Sequence, residues 1–192
     1  MKGTVIYMKV VAGTARGMNL EVPQGRHTRP TTGRIKETLF NIIQKDVPES
    51  RFLDLYSGSG SIAIEALSRG ASEAVLVENN RQALACINAN IKKAKFQERA
   101  QVMPYEAMHA LKKLDNSGRV FDIIFMDPPY GRGFEKEAAI YLLNSGLIEK
   151  GTLIIIETST EEDISYMESF PCHMEKVKEY KTNRHVFLRV NV

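Results

Sequence analysis

The feature that most constrains the fold of this chain is a regular alternation of short apolar runs with amphipathic segments from Arg51 onward. Short β-branched or aromatic runs bounded by Gly, Pro or Asn are typical of strands, whereas apolar residues at helical spacing are typical of helices. The pattern predicts strands at 51–56, 73–78, 100–104, 120–126 and 152–157, and helices at 61–69, 80–94, 106–115, 134–144 and 161–168. Such alternation indicates a parallel sheet with right-handed crossovers and helices on both faces.

The last part of the sequence departs from this alternation. Residues 172–180 and 183–190 are two strand-like runs joined by a tight polar turn near Thr182-Asn183, without a helix between them. Strands with so short a connection pair antiparallel. We therefore expect an α/β fold whose mostly parallel, seven-stranded sheet ends in an antiparallel hairpin.

The beginning of the chain is predicted to form a small extension of residues 1–48 before a larger domain of residues 49–192. Residues 1–7 read as a short leader before a second possible start at Met8, and they are left out of the fold prediction. The predicted elements of the extension are a β-hairpin of residues 9–11 and 18–22, a polar loop over 23–30, and a helix from Thr31 or Thr32 to about Lys45.

The extension is basic. Residues 1–46 carry eight Lys or Arg against three Asp or Glu, whereas the whole chain has a net charge of +3. This uneven distribution is typical of a surface that contacts a polyanion, although charge alone is equally compatible with a solvated face. We expect Arg34 and Lys36 to point away from the apolar face of the helix. The candidate phosphate contacts are Arg16, Arg26, Arg29, Arg34 and Lys36.

The apolar run at 120–126 is followed by Asp127-Pro128-Pro129-Tyr130. Because proline has no N–H, the strand must stop at Asp127. Asp127 and Tyr130 would then follow the end of a buried strand, where open α/β sheets bind their ligands. The Asp127 carboxylate and the Pro128 carbonyl can accept hydrogen bonds from an amine, and Tyr130 offers a stacking face. The stretch indicates a site for a flat group bearing NH2; the alternative is a strand-ending turn with a surface acid.

A glycine loop joins the first strand of the large domain to the next helix. Gly58, Gly60 and Ala63 satisfy the dinucleotide pattern G-x-G-x-x-A, and Glu78 ends the following strand. NAD is therefore a candidate ligand. However, Asp54 precedes the loop, where its charge would repel a pyrophosphate by about 1 kcal/mol or more per close pair. A carboxylate at this place favours a ligand with a cationic amino group, such as S-adenosylmethionine, whose ribose hydroxyls can donate to Glu78.

These residues resemble class I S-adenosylmethionine methyltransferases, in which an Asp/Asn-Pro-Pro-aromatic motif holds an exocyclic amine. More narrowly, the sequence from about Lys9 onward resembles the bacterial RsmD family of ribosomal RNA guanine-N2 methyltransferases. Gly33 and Glu106 depart from the family pattern, which has an acid at the first position and usually Asp at the second. The likeness rests on Val11-Ala12-Gly13-Thr14-Ala15-Arg16-Gly17, Arg29-Pro30-Thr31, Lys36-Glu37-Thr38-Leu39-Phe40-Asn41, the loop 54–60, Glu65-Ala66-Leu67-Ser68-Arg69-Gly70-Ala71, Glu78 and the turn 127–130.

The resemblance implies a Rossmann-like class I methyltransferase fold and methylation of the N2 amine of one guanine in small-subunit (16S) ribosomal RNA, free or in a 30S particle. S-Adenosyl-L-methionine would be the cofactor. The residues assigned to catalysis are Asp127, Pro128 and Tyr130. Those assigned to the cofactor are Asp54, Tyr56, Gly58, Gly60, Glu78, Asn79, Glu106 and Ala107.

Two other functions are compatible with parts of this pattern. A DNA adenine-N6 methyltransferase uses a similar amine holder, but it usually needs a separate target-recognition segment, for which this chain has no spare length. A non-enzymatic RNA-binding protein on the same fold would not need an intact glycine loop and amine holder. Because no apolar run is long enough to span a bilayer and the cysteines and histidines lack ligand spacing, we expect a cytoplasmic protein without a membrane partner or a metal.

Overall fold

A computed structural model describes residues 8–23 and 33–191 of the chain. The strands are β1 (Met8–Lys9), β2 (Asn19–Leu20), β3 (Arg51–Asp54), β4 (Glu73–Val77), β5 (Ala100–Met103), β6 (Ile123–Met126), β7 (Leu153–Ser159), β8 (Cys172–Glu179) and β9 (Asn183–Val190). The helices are α1 (Gly33–Ile42), α2 (Ser61–Ser68), α3 (Arg81–Ala94), α4 (Ala107–Asp115), α5 (Phe134–Leu143) and a short 3-10 helix (Ser165–Ser169).

The main sheet has seven strands in the order β5-β4-β3-β6-β7-β9-β8. Strands β3 to β7 are parallel, and β9 pairs antiparallel with both β7 and β8. The prediction of a mostly parallel seven-stranded sheet with an antiparallel hairpin at its end is therefore confirmed. The hairpin does not simply extend the sheet, because its second strand lies inside and its first strand forms the edge.

Both faces of the sheet are covered by helices, as the sequence predicted. Side chains alternate between faces along each strand, so Phe52 packs with α1, α2 and α3 on one side while its neighbour Leu53 packs with α4 and α5 on the other. The same alternation separates Phe125 from Ile124 on β6. Continuous apolar strands are typical of parallel sheets that are buried on both faces.

One predicted helix is wrong in type and extent. Residues 161–168 were expected to be helical, but the segment begins as a turn and only Ser165–Ser169 form a 3-10 helix. The Glu162 carboxylate accepts hydrogen bonds from the Gly131 amide and the Thr158 hydroxyl. Asp163 accepts from both the amide and the hydroxyl of Ser165. These side-chain bonds, one of them to a residue distant in the sequence, hold the segment in a conformation other than an α-helix.

The predicted N-terminal hairpin exists as the two-residue strands β1 and β2, which pair antiparallel. Val10 and Leu20 are fully buried and belong to the same apolar cluster as α1 and α2. The connection between the strands is fixed to the end of α2, because the Thr14 amide donates to the Ser68 carbonyl at 2.8 Å and the Ala12 carbonyl accepts from the Ser68 hydroxyl at 2.6 Å. The division of the chain at residue 48 stays a prediction.

The prediction that Lys36 points away from the apolar face and contacts phosphate is wrong. Its side chain is fully buried, and its ammonium lies 3.1 Å from the Glu65 carboxylate and donates to the Lys9 carbonyl at 2.6 Å. Lys36 shares a face of α1 with Leu39 and Phe40, which follow it at helical spacing and are also buried. The sequence prediction placed Lys36 on the polar face of α1, whereas its charged side chain lies on the apolar face.

Glu65 is the centre of this buried ion pair. Its carboxylate also accepts from the backbone amides of Val11 and Ala12 and from the Arg69 guanidinium. These contacts fasten the hairpin and α1 to α2. Along the described parts of the chain, no helix combines the length and apolar content that crossing a bilayer requires.

Candidate active site

The site lies at the carboxyl ends of β3 and β6, where the chain leaves these two neighbouring strands toward opposite edges of the sheet. From β3 the chain passes through α2 to β4 on one side, whereas from β6 it passes through α5 to β7 on the other. Asp54 pairs in register with Phe125, and the Leu55 amide donates to the Phe125 carbonyl at 2.9 Å. Open α/β sheets form their ligand crevice at such a switch point. The two sequence motifs that follow β3 and β6 therefore face each other.

Asp54 presents a carboxylate oxygen that lacks a hydrogen-bond partner among the described residues. One oxygen, Oδ2, accepts from the Ala63 amide at 3.3 Å, whereas Oδ1 is buried without a donor. Burial raises the pKa of Asp54 to about 7, and the negative charge of Glu78 adds to the shift. A buried acceptor left open in this way fits a cationic ligand group, because such a group would supply both a donor and a compensating charge.

The glycine loop closes around the same point. Gly60 has a φ of 76°, and a Cβ built on it would lie 3.0 Å from Leu76 Cδ2, so the position suits only glycine. Gly58 also has a positive φ of 55°, and its amide donates to Glu78 Oε2 at 2.9 Å. Glu78 Oε1 accepts from the amides of Asn79 and Asn80. The structure thus brings together the loop and two of the three carboxylates that the sequence assigned to the cofactor, Asp54 and Glu78.

The remaining cofactor candidates border this region. Tyr56 lies in the loop and is half-buried; burial and then the carboxylates on α5 raise its pKa to about 12. Asn79 is exposed beyond the end of β4, and Glu106 and Ala107 stand at the start of α4, beyond the end of β5. Glu106 is exposed, and its side chain makes no capping bond to α4. The roles of these residues stay predictions.

The amine-holding turn occupies the other side of the crevice. Asp127 is the first residue after β6, Pro128 is buried, and Tyr130 is 44% exposed, so its ring is accessible from solvent. Burial raises the pKa of Asp127 well above its usual range, and the charges of Glu157 and Asp54 add to the shift. Asp127 is therefore a carboxylate with an increased affinity for a proton, next to an exposed aromatic face.

A hydrogen-bonded group behind Tyr130 was missed by the sequence reasoning. Glu157 on β7 accepts from the Tyr130 hydroxyl at 3.1 Å and from the Asn183 side-chain amide at 2.5 Å, and it lies 2.8 Å from His185 Nε2. Burial acts to raise the pKa of Glu157, but the bonds from His185, Tyr130 and Asn183 outweigh burial and lower it. Like Asp54 and Asp127, Glu157 follows a continuous apolar run, which was the one signal in the sequence.

The residues assigned to RNA have different positions. Arg16 is exposed in the connection between β1 and β2, and Arg34 is exposed in the first turn of α1. Arg26 and Arg29 lie outside the described residues, as do Thr31 and Thr32, the expected caps of the helix. Lys36 is buried, as described above, and cannot reach a phosphate from that position.

The extension is joined to the cofactor side of the site by Asn90 on α3. The Asn90 side chain accepts from the Glu21 amide at 2.8 Å and donates to the Glu21 carbonyl at 2.9 Å. It also donates to the carbonyl of Ser59, within the glycine loop, at 3.0 Å. The segment that follows β2 therefore runs beside the glycine loop.

Comparison with known proteins agrees with this arrangement. The model of a family described as "Conserved hypothetical protein 95" matches residues 8–190. Ribosomal RNA small subunit methyltransferase D of Escherichia coli K12 is 33% identical over 171 residues, covering 88% of this chain and 84% of that protein. The protein of the same name from Buchnera aphidicola of Acyrthosiphon pisum is 32% identical over 176 residues, covering 92% of this chain and 90% of that protein.

Solved structures give the same result at the level of the fold. The Escherichia coli protein yhhF superimposes with a TM-score of 0.82 at 28% identity, covering 97% of this chain and all of that one (100%). A hypothetical protein of Thermus thermophilus has a TM-score of 0.81 at 29% identity, covering 96% of this chain and 99% of that one. The resemblance noted in the sequence is confirmed: the chain belongs to the family of ribosomal RNA small subunit methyltransferase D.

Proposed function

We propose that this protein transfers a methyl group from S-adenosylmethionine to the exocyclic N2 amine of an unpaired guanine in small-subunit ribosomal RNA. The observation that carries the proposal is the meeting of two carboxylates at the switch point of the sheet: Asp54, with an open buried oxygen, and Asp127, beside the accessible ring of Tyr130. The first suits a cationic amino group of a cofactor, and the second suits a neutral amine of a substrate.

The residues on the cofactor side fit S-adenosylmethionine. Asp54 would accept a hydrogen bond from its amino group, and the loop of Gly58 and Gly60 would contact its amino-acid part. Glu78 would accept hydrogen bonds from its ribose hydroxyls. Glu106 and Ala107 at the start of α4 would contact its adenine. When bound, this cofactor supplies a methyl group on a sulfonium, which departs as a neutral thioether with the electron pair of the broken bond.

The residues on the substrate side orient the amine. The lone pair of an aryl amine is delocalised into the ring, so the amine must be held with that lone pair directed at the methyl carbon. The Asp127 carboxylate and the Pro128 carbonyl would accept its two N–H groups, and Tyr130 would stack on the base. Once the new N–C bond forms, nitrogen carries a positive charge, and Asp127 stabilises it and accepts the proton directly or through water.

The raised pKa of Asp127 suits this role, since a carboxylate with greater proton affinity is a better acceptor near neutral pH. A paired base could not reach such a pocket, so the target guanine must be unpaired or extruded from its stack. Arg16 and Arg34, both exposed on the extension, together with Arg26 and Arg29, would contact RNA phosphates. The substrate, as free RNA or as a 30S particle, implies a cytoplasmic protein.

The test is to map the product. Purified protein and radiolabelled S-adenosylmethionine are incubated with small-subunit particles, with protein-free 16S RNA and with duplex DNA. Each polymer is then digested and analysed by mass spectrometry. We expect N2-methylguanosine at one position of the RNA. N6-Methyladenine in the DNA would establish the adenine-directed alternative, and RNA binding without any methylated product would establish the non-enzymatic one.

A further inference from the structure

Glu157 is a buried carboxylate that links the interior of the sheet to the exposed ring of Tyr130. It is 5% exposed, and its hydrogen bonds go to the Tyr130 hydroxyl, to Asn183 and to His185. Asn183 and His185 are themselves buried on β9, whereas Tyr130 is 44% exposed. Of these three partners, Tyr130 alone belongs to the proposed reaction site.

The position of Glu157 is set by the strand register. Met126 pairs with Ile156, so Asp127 and Glu157 follow directly after these paired residues on neighbouring strands. On the other side, Glu157 pairs with His185 of β9. The His185 ring is enclosed by Phe125, Phe187 and Tyr180 and cannot turn away from the carboxylate without repacking them. Glu157 therefore has a fixed orientation toward the turn that carries Tyr130.

The Tyr130 ring needs such a constraint. It follows Pro129, precedes Gly131 with a φ of 72°, and projects from a turn rather than from a strand or helix. Within the described residues, the bond from its hydroxyl to Glu157 is the hydrogen bond that holds the side chain. Without that bond, the exposed ring could take several orientations. It would lose this conformational entropy when the base binds, and the loss would weaken binding.

We propose that Glu157 is a positioning residue for methyl transfer: it holds the ring of Tyr130 in the plane that stacks the target base, while His185 and Asn183 fix Glu157 itself. The inference rests on the proposed function, because it requires Tyr130 to contact the substrate. A carboxylate suits this role better than a neutral side chain, since the bond that it accepts from a phenol is charge-assisted and therefore stronger.

Glu157 has a second, electrostatic effect on the same site. The titratable groups that face Asp127 are Asp54 at the end of β3, Glu157 on β7 and the phenol of Tyr130, and the negative charges of Asp54 and Glu157 raise the proton affinity of Asp127. Replacing Glu157 by Gln removes one of these charges, so the pKa of Asp127 falls. The acidic limb of the pH–rate profile should then move to lower pH, which loss of packing alone would not cause.

The experiment compares Glu157→Gln, Tyr130→Phe and the double variant with the wild type in single-turnover methylation of small-subunit RNA. Glu175→Gln is the matched control, because Glu175 lies on β8 and is hydrogen-bonded to Arg189, away from the site. Each single variant should lose about tenfold or more in rate, as expected for one charge-assisted hydrogen bond. At a pH above the acidic limb, where Asp127 is ionised in all four proteins, the double variant should be no slower than Tyr130→Phe, since the bond that Glu157→Gln weakens is already absent from Tyr130→Phe.

Two further measurements separate positioning from damage to the fold. Calorimetry with S-adenosylmethionine should give the same affinity for Glu157→Gln as for the wild type. In fluorotyrosine NMR of the free protein, with the Tyr130 resonance identified by its absence in Tyr130→Phe, Glu157→Gln should shift and narrow that resonance.

An active wild type with a Glu157→Gln variant that keeps its rate and its Tyr130 resonance would overturn this inference alone. Additive losses in the double variant would do the same. A wild type that methylates no ribosomal RNA would overturn the proposed function and this inference with it, so the two failures are distinguishable.

Discussion

The ammonium of Lys36 and the carboxylate of Glu65 lie 3.1 Å apart, and neither side chain is exposed to solvent. Burial lowers the pKa of Lys36, and the charge of Glu65 opposes that shift. Burial acts to raise the pKa of Glu65, but Lys36 and the Val11 amide outweigh it and lower the pKa. Removing one partner of such a pair destabilises the fold, because the other charge is left buried without compensation.

Lys36→Met should therefore reduce the free energy of unfolding by about 3–5 kcal/mol, because it leaves the Glu65 charge buried without its main partner. Arg34→Met is the matched control: Arg34 is exposed on the same helix, and its loss should change stability by at most about 0.5 kcal/mol. Urea denaturation measures both. A Lys36→Met variant with normal stability and weakened RNA binding would restore the phosphate role that the buried position now contradicts.

Gly13 and Gly17 offer a matched pair in the hairpin connection. Both have a positive φ, of 81° and 82°, but a Cβ on Gly13 would lie 1.7 Å from the Ser68 carbonyl oxygen, whereas a Cβ on Gly17 would meet nothing within 4 Å. Gly17→Ala should cost about 1–2 kcal/mol of stability from backbone strain alone. Gly13→Ala should cost about 3 kcal/mol or more, since the hairpin must also move off α2. Equal losses on thermal or urea unfolding would mean that this contact is weak.

The affinity for S-adenosylmethionine should depend on pH through Asp54. With a pKa of about 7, Asp54 is mostly protonated below that pH and then lacks the charge that the cofactor's amino group requires. Affinity should fall by about tenfold per pH unit below 7 and level off above it. Asp54→Asn should bind weakly with a flat profile. Calorimetry between pH 5 and 8.5 gives both curves, and a flat wild-type profile would exclude Asp54 as the titrating group.

Asp127→Ala should separate chemistry from cofactor binding. We expect nearly unchanged affinity for S-adenosylmethionine and a single-turnover methylation rate reduced by a factor on the order of a hundred or more, because one oriented contact to the transition state is lost. Asp122→Ala is the control, since Asp122 precedes β6 at the opposite end and pairs with Arg51. A near-normal rate for Asp127→Ala would identify Asp127 as a strand-ending turn residue.

The basic extension predicts a salt-dependent contact with RNA. Each phosphate contact that is removed should lower the slope of log affinity against log salt by roughly 0.7–0.9, because fewer counterions are released on binding. The variant Arg16→Gln/Arg29→Gln should therefore bind small-subunit RNA more weakly and with a flatter salt dependence, while its affinity for S-adenosylmethionine stays normal. Identical slopes for variant and wild type would place the RNA-binding surface elsewhere.

Most of the fold could be predicted because its signals are local. The apolar runs before Asp54 and Asp127 have the length of strands, and glycine or proline stops them, so both carboxylates could be placed at strand ends. That these two ends lie side by side at a switch point was not predicted, because it depends on the pairing of β3 with β6. The family-typical residues then indicated which ligands such an edge would hold.

The rest depends on contacts between distant parts of the chain. Glu157 belongs to the site because β7 lies beside β6 and β9 beside β7, and no local pattern reports that order. Lys36 was misplaced because a buried ion pair cannot be recognised until its partner, Glu65, is known to lie opposite. The 3-10 helix replaced a predicted α-helix because Glu162 is bound to Gly131, which lies far away in the sequence.

The insertion of β9 between β7 and β8 affects the order in which the protein can form during synthesis. β9 follows every other described strand in the chain, yet it occupies an interior place in the sheet and supplies two of the three partners of Glu157, Asn183 and His185. A nascent chain therefore exposes one edge of β7 until residues 183–190 leave the ribosome. Until then the Glu157 carboxylate has neither Asn183 nor His185, so a nascent chain cannot complete the site, and its open edge is available to chaperones or to aggregation.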